Sequence, residues 1–390
     1  MSHKKLHILI NKEDIVFYTI YPILINKNQF HELGYKIKFF FNVTKNFYDC
    51  DVLILISKPT KSISRKIYPF CKKDHHIEFL KNCKTKVKKI IWYDNSDSSS
   101  VTNFEVMPFI EVYLKKQIFK DKNLYKKKFY GGRIFTDFYN KKFNIIDEPE
   151  YKSDKILETK FFNKLKLGWN IGIGNTHNSF NQFYKIVRRI FPFYIKKTSN
   201  IFISPNNKSR EIDFFFRGSV EYERNTIRFH REKLVIDLKK SLKKSKYTAV
   251  IRSDIFSKKK IPDFVNKASG RLSNKQYKFI QDSSKISFSP FGWGELGARD
   301  YEIIGSGSLL VKPNIDHMKT WPNIFFPYES YVPLNWDFSN LDEVIETYIS
   351  NEKKRTEVII NSQELHKQTI NNQGMEKFCE WFLKQIGEKT

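Results

Sequence analysis

Two α/β halves, each a mainly parallel sheet covered by helices, are what this sequence predicts, and three observations carry the expectation. A chain of 390 residues exceeds what one hydrophobic core organises. Short, nearly all-apolar runs recur at helix-sized separations, the mark of parallel strands buried on both faces. The pattern pauses once, in the polar stretch 204–211 with its Pro205-Asn206-Asn207, and resumes at Asp213-Phe214-Phe215-Phe216. The expected units are therefore 1–203, 204–365 and a terminal segment, 366–390, packing back toward the first.

In the first half, Leu6-His7-Ile8-Leu9-Ile10 reads as a strand, residues 20–33 as a helix ended by Gly34, residues 35–41 as an alternating second strand and Val52-Leu53-Ile54-Leu55-Ile56 as a third. Lys89-Ile90-Ile91-Trp92-Tyr93 is a fourth strand. It runs into the polar loop Asp94-Asn95-Ser96-Asp97-Ser98-Ser99-Ser100. Doubly wound sheets place ligands beyond the carboxyl ends of their strands, so this loop is a candidate site. Residues 104–147 read as irregular and aromatic, with a turn at Gly131-Gly132-Arg133, and residues 169–175 as a turn-rich segment near the cleft. The second half predicts a strand from 213, a helix over 223–243, a strand over 247–251, a helix over 272–282 and a strand over 285–289. A helix over 294–304, a strand over 308–311 and terminal helices follow. Two Rossmann-like halves facing across a cleft is the economical architecture. No repeat of fixed period appears, which argues against a solenoid.

Lys and Arg number 69 against 42 Asp and Glu, a formal charge of +27 that favours an anionic partner: a phosphorylated substrate, a membrane surface or nucleic acid. A general bias toward Lys, Asn, Ile and Phe, with the lysines merely solvated, is the competing account. Runs such as Lys126-Lys127-Lys128 and Lys258-Lys259-Lys260 lack the aromatic interleaving of a base-stacking surface, so no specific nucleic acid is expected. Cys50, Cys71, Cys83 and Cys379 show no paired zinc-ligand spacing and suit a reducing compartment. His75-His76 reads as solvent-exposed, and no structural metal is expected. The N-terminal apolar run is too short for a secretory signal, and no stretch approaches the roughly 18 apolar residues of a membrane span. A cytoplasmic protein, held at most to the inner face of a membrane by its charge, is the expectation.

The densest signal runs Ser287-Phe288-Ser289-Pro290-Phe291-Gly292-Trp293-Gly294-Glu295-Leu296-Gly297-Ala298-Arg299-Asp300-Tyr301-Glu302, with Gly305-Ser306-Gly307 before the next strand. A buried strand enters a loop whose Gly292 and Gly294 permit close backbone approach. A helix then offers free N–H groups and a positive dipole end to an anion. On a helix from 294, Glu295, Arg299 and Glu302 share one face. Arg299 can neutralise a diphosphate through paired hydrogen bonds, and Glu302 can accept from the hydroxyls of a ribose. The plainer alternative is a surface Glu295–Arg299 ion pair worth about 0.3–0.5 kcal/mol. Phe214-Phe215-Phe216-Arg217-Gly218-Ser219 adds a buried strand, a cation and a turn whose amides can hold phosphate. Arg224 and Arg228 follow at helical spacing, and Arg252 lies just past another strand.

This stretch resembles the donor-binding motif of GT-B glycosyltransferases, particularly the exostosin-like and related bacterial families: a strand, a Gly-rich loop, an Arg-x-x-Glu helix and a small-residue turn. The resemblance covers roughly residues 213–349, and the first half matches in pattern only. It implies a GT-B α/β fold and a metal-independent transferase with no cofactor beyond its nucleotide-sugar donor. By it Arg299 contacts the diphosphate and Glu302 the ribose, with Glu295 near the transferred sugar; Arg217, Gly218, Ser219, Arg224, Arg252, Gly292 and Gly294, read from their own strand-end, turn and loop positions, complete the expected donor side. Many retaining members carry two glutamates eight residues apart, whereas Glu295 and Glu302 are seven apart, so retention is not implied.

An acceptor hydroxyl must also lose a proton, and inverting enzymes of this kind take it with a first-domain carboxylate or histidine. Asp94 and Asp97 are the candidates, with helix capping as their ordinary alternative, and His177 is a third. The implied acceptor is a glycan or lipid-linked saccharide of the surface-polysaccharide or lipopolysaccharide type. The rivals are a basic nucleic-acid-binding protein and an epimerase-like nucleotide-sugar-processing enzyme on the same fold.

Overall fold

The strands of the first half are β1 (Lys4–Leu9), β2 (Tyr35–Phe40), β3 (Val52–Ile56), β4 (Lys89–Asp94), β5 (Val112–Lys115), β6 (Gln117–Phe119) and β7 (Leu165–Leu167). All but β6 join one parallel sheet in the order β2-β1-β3-β4-β5-β7. The computed structural model describes residues 3–10, 14–57, 75–148, 156–173, 202–206, 209–244, 247–251, 254–256 and 272–388. In β3 every residue is buried, and alternate side chains enter opposite cores: Val52, Ile54 and Ile56 on one face, Leu53 and Leu55 on the other. A strand covered on both faces has no use for polar residues, hence its unbroken apolar run.

The second half repeats the plan. Its strands are β8 (Ile212–Phe216), β9 (Ala249–Ile251), β10 (Asp254–Phe256), β11 (Ser284–Phe288), β12 (Leu309–Pro313), β13 (Met318–Thr320) and β14 (Val332–Leu334). They form a sheet ordered β10-β9-β8-β11-β12-β14, parallel except where β10 runs against β9. The remaining strand, β13, pairs antiparallel with β6, Met318 opposite Phe119 and Thr320 opposite Gln117, so the halves share a two-stranded ribbon.

The helices are α1 (Asp14–Ile25), α2 (Lys27–Glu32), α3 (His75–Lys84), α4 (Ile134–Phe143), α5 (Asn225–Lys244), α6 (Asn274–Asp282), α7 (Ala298–Ser306), α8 (Leu341–Ser350), α9 (Glu352–Ile370) and α10 (Asn372–Gln385). The single helix expected over 20–33 is two: α1 starts earlier, and Asn26, whose side chain donates to Pro22 O at 2.7 Å, separates it from α2. Within the irregular stretch expected over 104–147 lie β5, β6 and α4. Lys115, which made β5 look polar, is fully buried against Asp94 at 2.9 Å.

The helix expected from 294 begins only at Ala298. The Asp300 carboxylate accepts from Gly297 N at 2.9 Å and from Lys312 Nζ at 2.8 Å, which caps the helix there. Gly307, at φ +69°, ends it in the left-handed conformation. Glu295 is consequently a loop residue and does not share a helical face with Arg299 and Glu302.

The chain's last helix returns to the first half, where Phe378, Phe382 and Leu383 of α10 pack among Leu6, Ile8, Phe30 and Trp169. The Trp169 and Phe382 rings meet edge to face at 5.4 Å, and Trp169 Nε1 donates to Thr19 O at 2.6 Å. A third core spans the halves, joining Phe135 and Tyr139 of α4 to Ile227, Phe291 and Tyr301. Truncating the fully buried Phe382 to Ala should cost about 3–5 kcal/mol by urea unfolding. A loss below about 1 kcal/mol would mean that α10 is not part of the first half's core.

Candidate active site

Two loops at the carboxyl ends of adjacent strands build the site. β8 and β11 pair in register, Phe215 opposite Ser287, so Arg217-Gly218-Ser219 after one lies beside the loop 289–297 after the other. The Arg231 side chain, from α5, joins them. Its guanidinium donates to Ser219 O at 2.6 Å, Phe291 O at 2.8 Å and Pro290 O at 3.2 Å, and the residue is only 4% exposed.

The side chain of Arg299, in the first turn of α7, converges on the same place. A methyl group on Gly218 would fall 2.6 Å from one guanidinium nitrogen of Arg231 and 2.6 Å from one of Arg299. Both cations also lie over the Phe216 ring, at 5.5 and 5.8 Å. Burial, and then repulsion from Arg299, push the Arg231 guanidinium down from 12.5 to about 10. Among the described residues neither arginine forms a salt bridge with a carboxylate. Two adjacent guanidinium groups at the start of a nine-residue helix make a strongly anion-seeking surface.

Around this pair the structure gathers Arg217, Tyr277 and Glu302. Tyr277, half-buried on α6, is pushed up by desolvation and drawn back by the charge of Arg299. Burial lowers Arg217, and Tyr277 opposes the shift. Glu302 lies one turn beyond Arg299 on the same helical face; burial raises its carboxyl, against the pull of Arg299. Ser219 is exposed and serves its own turn, accepting from Glu221 N at 3.1 Å. Gly292 backs onto Tyr222, whose hydroxyl would sit 2.8 Å from any Cβ there. Arg252 and His177 lie outside the described residues.

Arg224 is drawn elsewhere. It donates to Gly131 O and lies over the Trp293 ring at 5.7 Å, while Arg133 covers the same ring at 5.2 Å and donates to Trp293 O at 2.7 Å. Trp293 thus receives one cation from each half, both of them also donating to Gly131 O, and Arg224 braces the cleft. Arg231, Tyr277 and Arg133 escape the sequence reading. Arg231 continues the helical series from Arg224 and Arg228 one turn further in, a signal that could have revealed it.

Glu295 crosses to the first half. Its carboxylate accepts from Ser98 Oγ at 3.0 Å, Ser99 Oγ at 2.7 Å, Ser99 N at 3.0 Å and Gln117 Nε2 at 3.3 Å. His317 Nε2 stands 3.7 Å away, too far for a hydrogen bond and an ion pair when the imidazole is protonated. Burial raises the Glu295 pKa, but the imidazole and the Ser99 donors outweigh it and hold it at about 2. Lys312 Nζ grips the Glu295 carbonyl at 2.8 Å from behind. Gly294 lies so close to Asp97 O that no side chain could be accommodated.

This anchor fixes the loop carrying the two expected bases. Asp94 is fully buried, paired with Lys115 at 2.9 Å and accepting from Tyr113 Oη at 2.7 Å and Ser96 N at 2.9 Å. Burial raises its pKa, and Lys115 with those donors outweighs the effect, so Asp94 is an ionised group closed off from solvent, its lone pairs taken up by neighbours. Asp97 keeps a side chain 30% exposed, beside Lys116 at 3.4 Å and against Gly294.

No protein family and no curated protein matches the chain. Among solved structures, an alpha-glucosyltransferase in complex with UDP and a 13-mer DNA containing an HMU base is 11% identical over 99% of this chain and 100% of that one, with a TM-score of 0.48. A glycosyltransferase from Rickettsia africae ESF-5 is 10% identical over all of both chains, with a TM-score of 0.46. Anabaena HepE in complex with UDP is 9% identical over 98% and 99%, with a TM-score of 0.43. Likeness at this level carries no functional weight, which rests on the side chains above.

A carboxylate held below its ordinary pKa stabilises the fold above that value and loses its contribution as the pH falls through its folded pKa. The Glu295 contribution should therefore be complete at pH 7 and vanish between 4.5 and about 2. Glu295→Gln should lower stability by about 1–3 kcal/mol at pH 7 and flatten this acid limb in urea unfolding at pH 7 and pH 3. An unchanged acid limb would show that the anchor does not couple the halves.

Proposed function

We propose that the protein is a GT-B-type, metal-independent glycosyltransferase that moves a sugar from a nucleotide-activated donor to a glycan or lipid-linked saccharide. The observation that supports it is the convergence of Arg231 and Arg299 on Gly218 at the start of α7, a place built to receive a diphosphate. Arg217 lies beside it, and Glu302, one turn along, accepts from the ribose hydroxyls. The bond from the anomeric carbon to the β-phosphate oxygen breaks with its electron pair leaving on the diphosphate, and the two guanidinium groups stabilise that charge. The acceptor oxygen forms the new bond and gives its proton to Asp97. Glu295 acts as a positioning residue, holding the Asp97 loop against the donor side.

Among the described residues no helix is long and apolar enough to cross a membrane. The +27 charge suits peripheral contact with an anionic membrane at its inner face, where lipid-linked acceptors of surface-polysaccharide or lipopolysaccharide type are found.

A thermal-shift screen with nucleoside diphosphates and nucleotide sugars, with and without a chelator, tests the donor site. One nucleotide should stabilise the protein by about 2.7 kcal/mol at a hundred times its Kd, with or without chelator, and Arg231→Ala or Arg299→Ala should abolish the shift. No shift with any nucleotide would reject the reading in favour of a basic nucleic-acid-binding protein. Asp97→Asn should lower kcat by about 10²–10⁴-fold while the nucleotide shift persists; full activity in that variant would move the base elsewhere. Sugar release or isomerisation without an acceptor would instead identify a nucleotide-sugar-processing enzyme.

A further inference from the structure

A second pocket, of about 530 Å³, opens between the halves at the carboxyl ends of β12 and β14, within the roughly 300–1,000 Å³ usual for small-ligand sites. Asn314 directly follows β12 and Asn335 directly follows β14, so both line it for the same topological reason that ligands gather at this edge of a parallel sheet. From the first half, Phe138 and Lys142 of α4 complete the wall.

The pocket's chemistry differs from that of the arginine site. Its aromatic members are Trp336 and Phe138, both half-buried and set edge to face at 5.4 Å. Trp336 is held at two points: its Nε1 donates to Asn314 O at 2.8 Å, and its carbonyl accepts from Tyr139 Oη. The polar members are two amides, the Ser339 hydroxyl and the carboxylates Asp316 and Asp337. Lys142 pairs with Asp337, and Lys120, directly after β6, reaches Asp316. In a chain of formal charge +27, the lysines and carboxylates of these walls therefore balance, Lys142 against Asp337 and Lys120 against Asp316. A phosphate or a nucleic-acid backbone would meet two carboxylates, whereas a ring with an apolar C–H face and a rim of hydroxyls finds an aromatic platform and amide and carboxylate partners. The pocket also adjoins the proposed catalytic loop: His317 lines it and stands 3.7 Å from Glu295, which holds Ser98 and Ser99 next to Asp97.

We propose that this pocket binds a neutral saccharide, the sugar end of the acceptor, with Trp336 and Phe138 as its platform and Asn314, Asn335 and Asp337 as its hydroxyl partners. The inference rests on the transferase reading for its role as acceptor site, and it gives that reading a substrate class: an uncharged terminal sugar.

Saturation-transfer NMR with maltotriose, cellotriose and chitotriose tests the pocket on the full chain, and the nucleoside diphosphate thermal shift is measured on the same samples. Trp336→Ala removes the platform, and Ser339→Trp fills the pocket from an exposed rim position without removing any core side chain. At least one trisaccharide should bind the unmodified protein and lose at least tenfold in affinity in both variants, with the nucleotide shift unchanged. Failure of all three sugars to bind, binding indifferent to Ser339→Trp, or displacement of the sugar by a ten-residue oligothymidylate would each overturn the proposal. Loss of nucleotide binding by the unmodified protein while sugar binding persists would remove the transferase reading and leave the saccharide site standing.

Discussion

The carboxylate of Glu295 is the contact on which the relation between the two halves depends. It belongs to a loop of the second sheet, yet its hydrogen bonds from Ser98, Ser99 and Gln117 are to the first. An ionised group this deeply buried is tolerable only when its lone pairs are filled, and removing its partners would leave an uncompensated charge in the interior. The consequence is geometric. Gly294 is drawn against Asp97 O, the loop 289–297 cannot continue as helix, and α7 begins where Asp300 and Lys312 allow.

Charge is distributed with the same economy. Arg231 and Arg299 stand together although each repels the other, and Arg231 is held there by three carbonyl acceptors rather than by a counter-charge. Carbonyl dipoles orient a guanidinium without neutralising it, so the pair keeps its appetite for an anion. Asp94 and Lys115 show the opposite arrangement, a cation and an anion buried together that cancel and serve only to hold a loop. Arg133 and Arg224 take a third course, both set against the ring of Trp293 and donating to Gly131 O.

Much of the architecture was legible because burial on both faces imposes a run of apolar residues that no other element needs; Val52 to Ile56 and Phe214 to Phe216 announce themselves. β5 did not, because its Lys115 is an interior residue whose partner, Asp94, lies twenty-one positions away, and no local pattern reveals a distant counter-ion. At the site, the grouping of Arg217, Arg299 and Glu302 could be read from strand ends and helical spacing. Glu295 was placed on the wrong element, since its environment is supplied by the other half of the chain. Asp94 was nominated for chemistry by its position at a strand end, and its burial could not be anticipated from that position. Arg231 was passed over because it sits mid-helix, where an arginine is ordinarily a solvated residue.

The ribbon of β6 and β13 bears on how such a molecule can move. Because one strand comes from each half and the two are joined by backbone hydrogen bonds, the halves cannot separate at that corner without unzipping a sheet. Any displacement of the halves that keeps this pairing intact leaves Gln117 and the backbone beside His317 in place, and with them two of the groups that surround the Glu295 carboxylate.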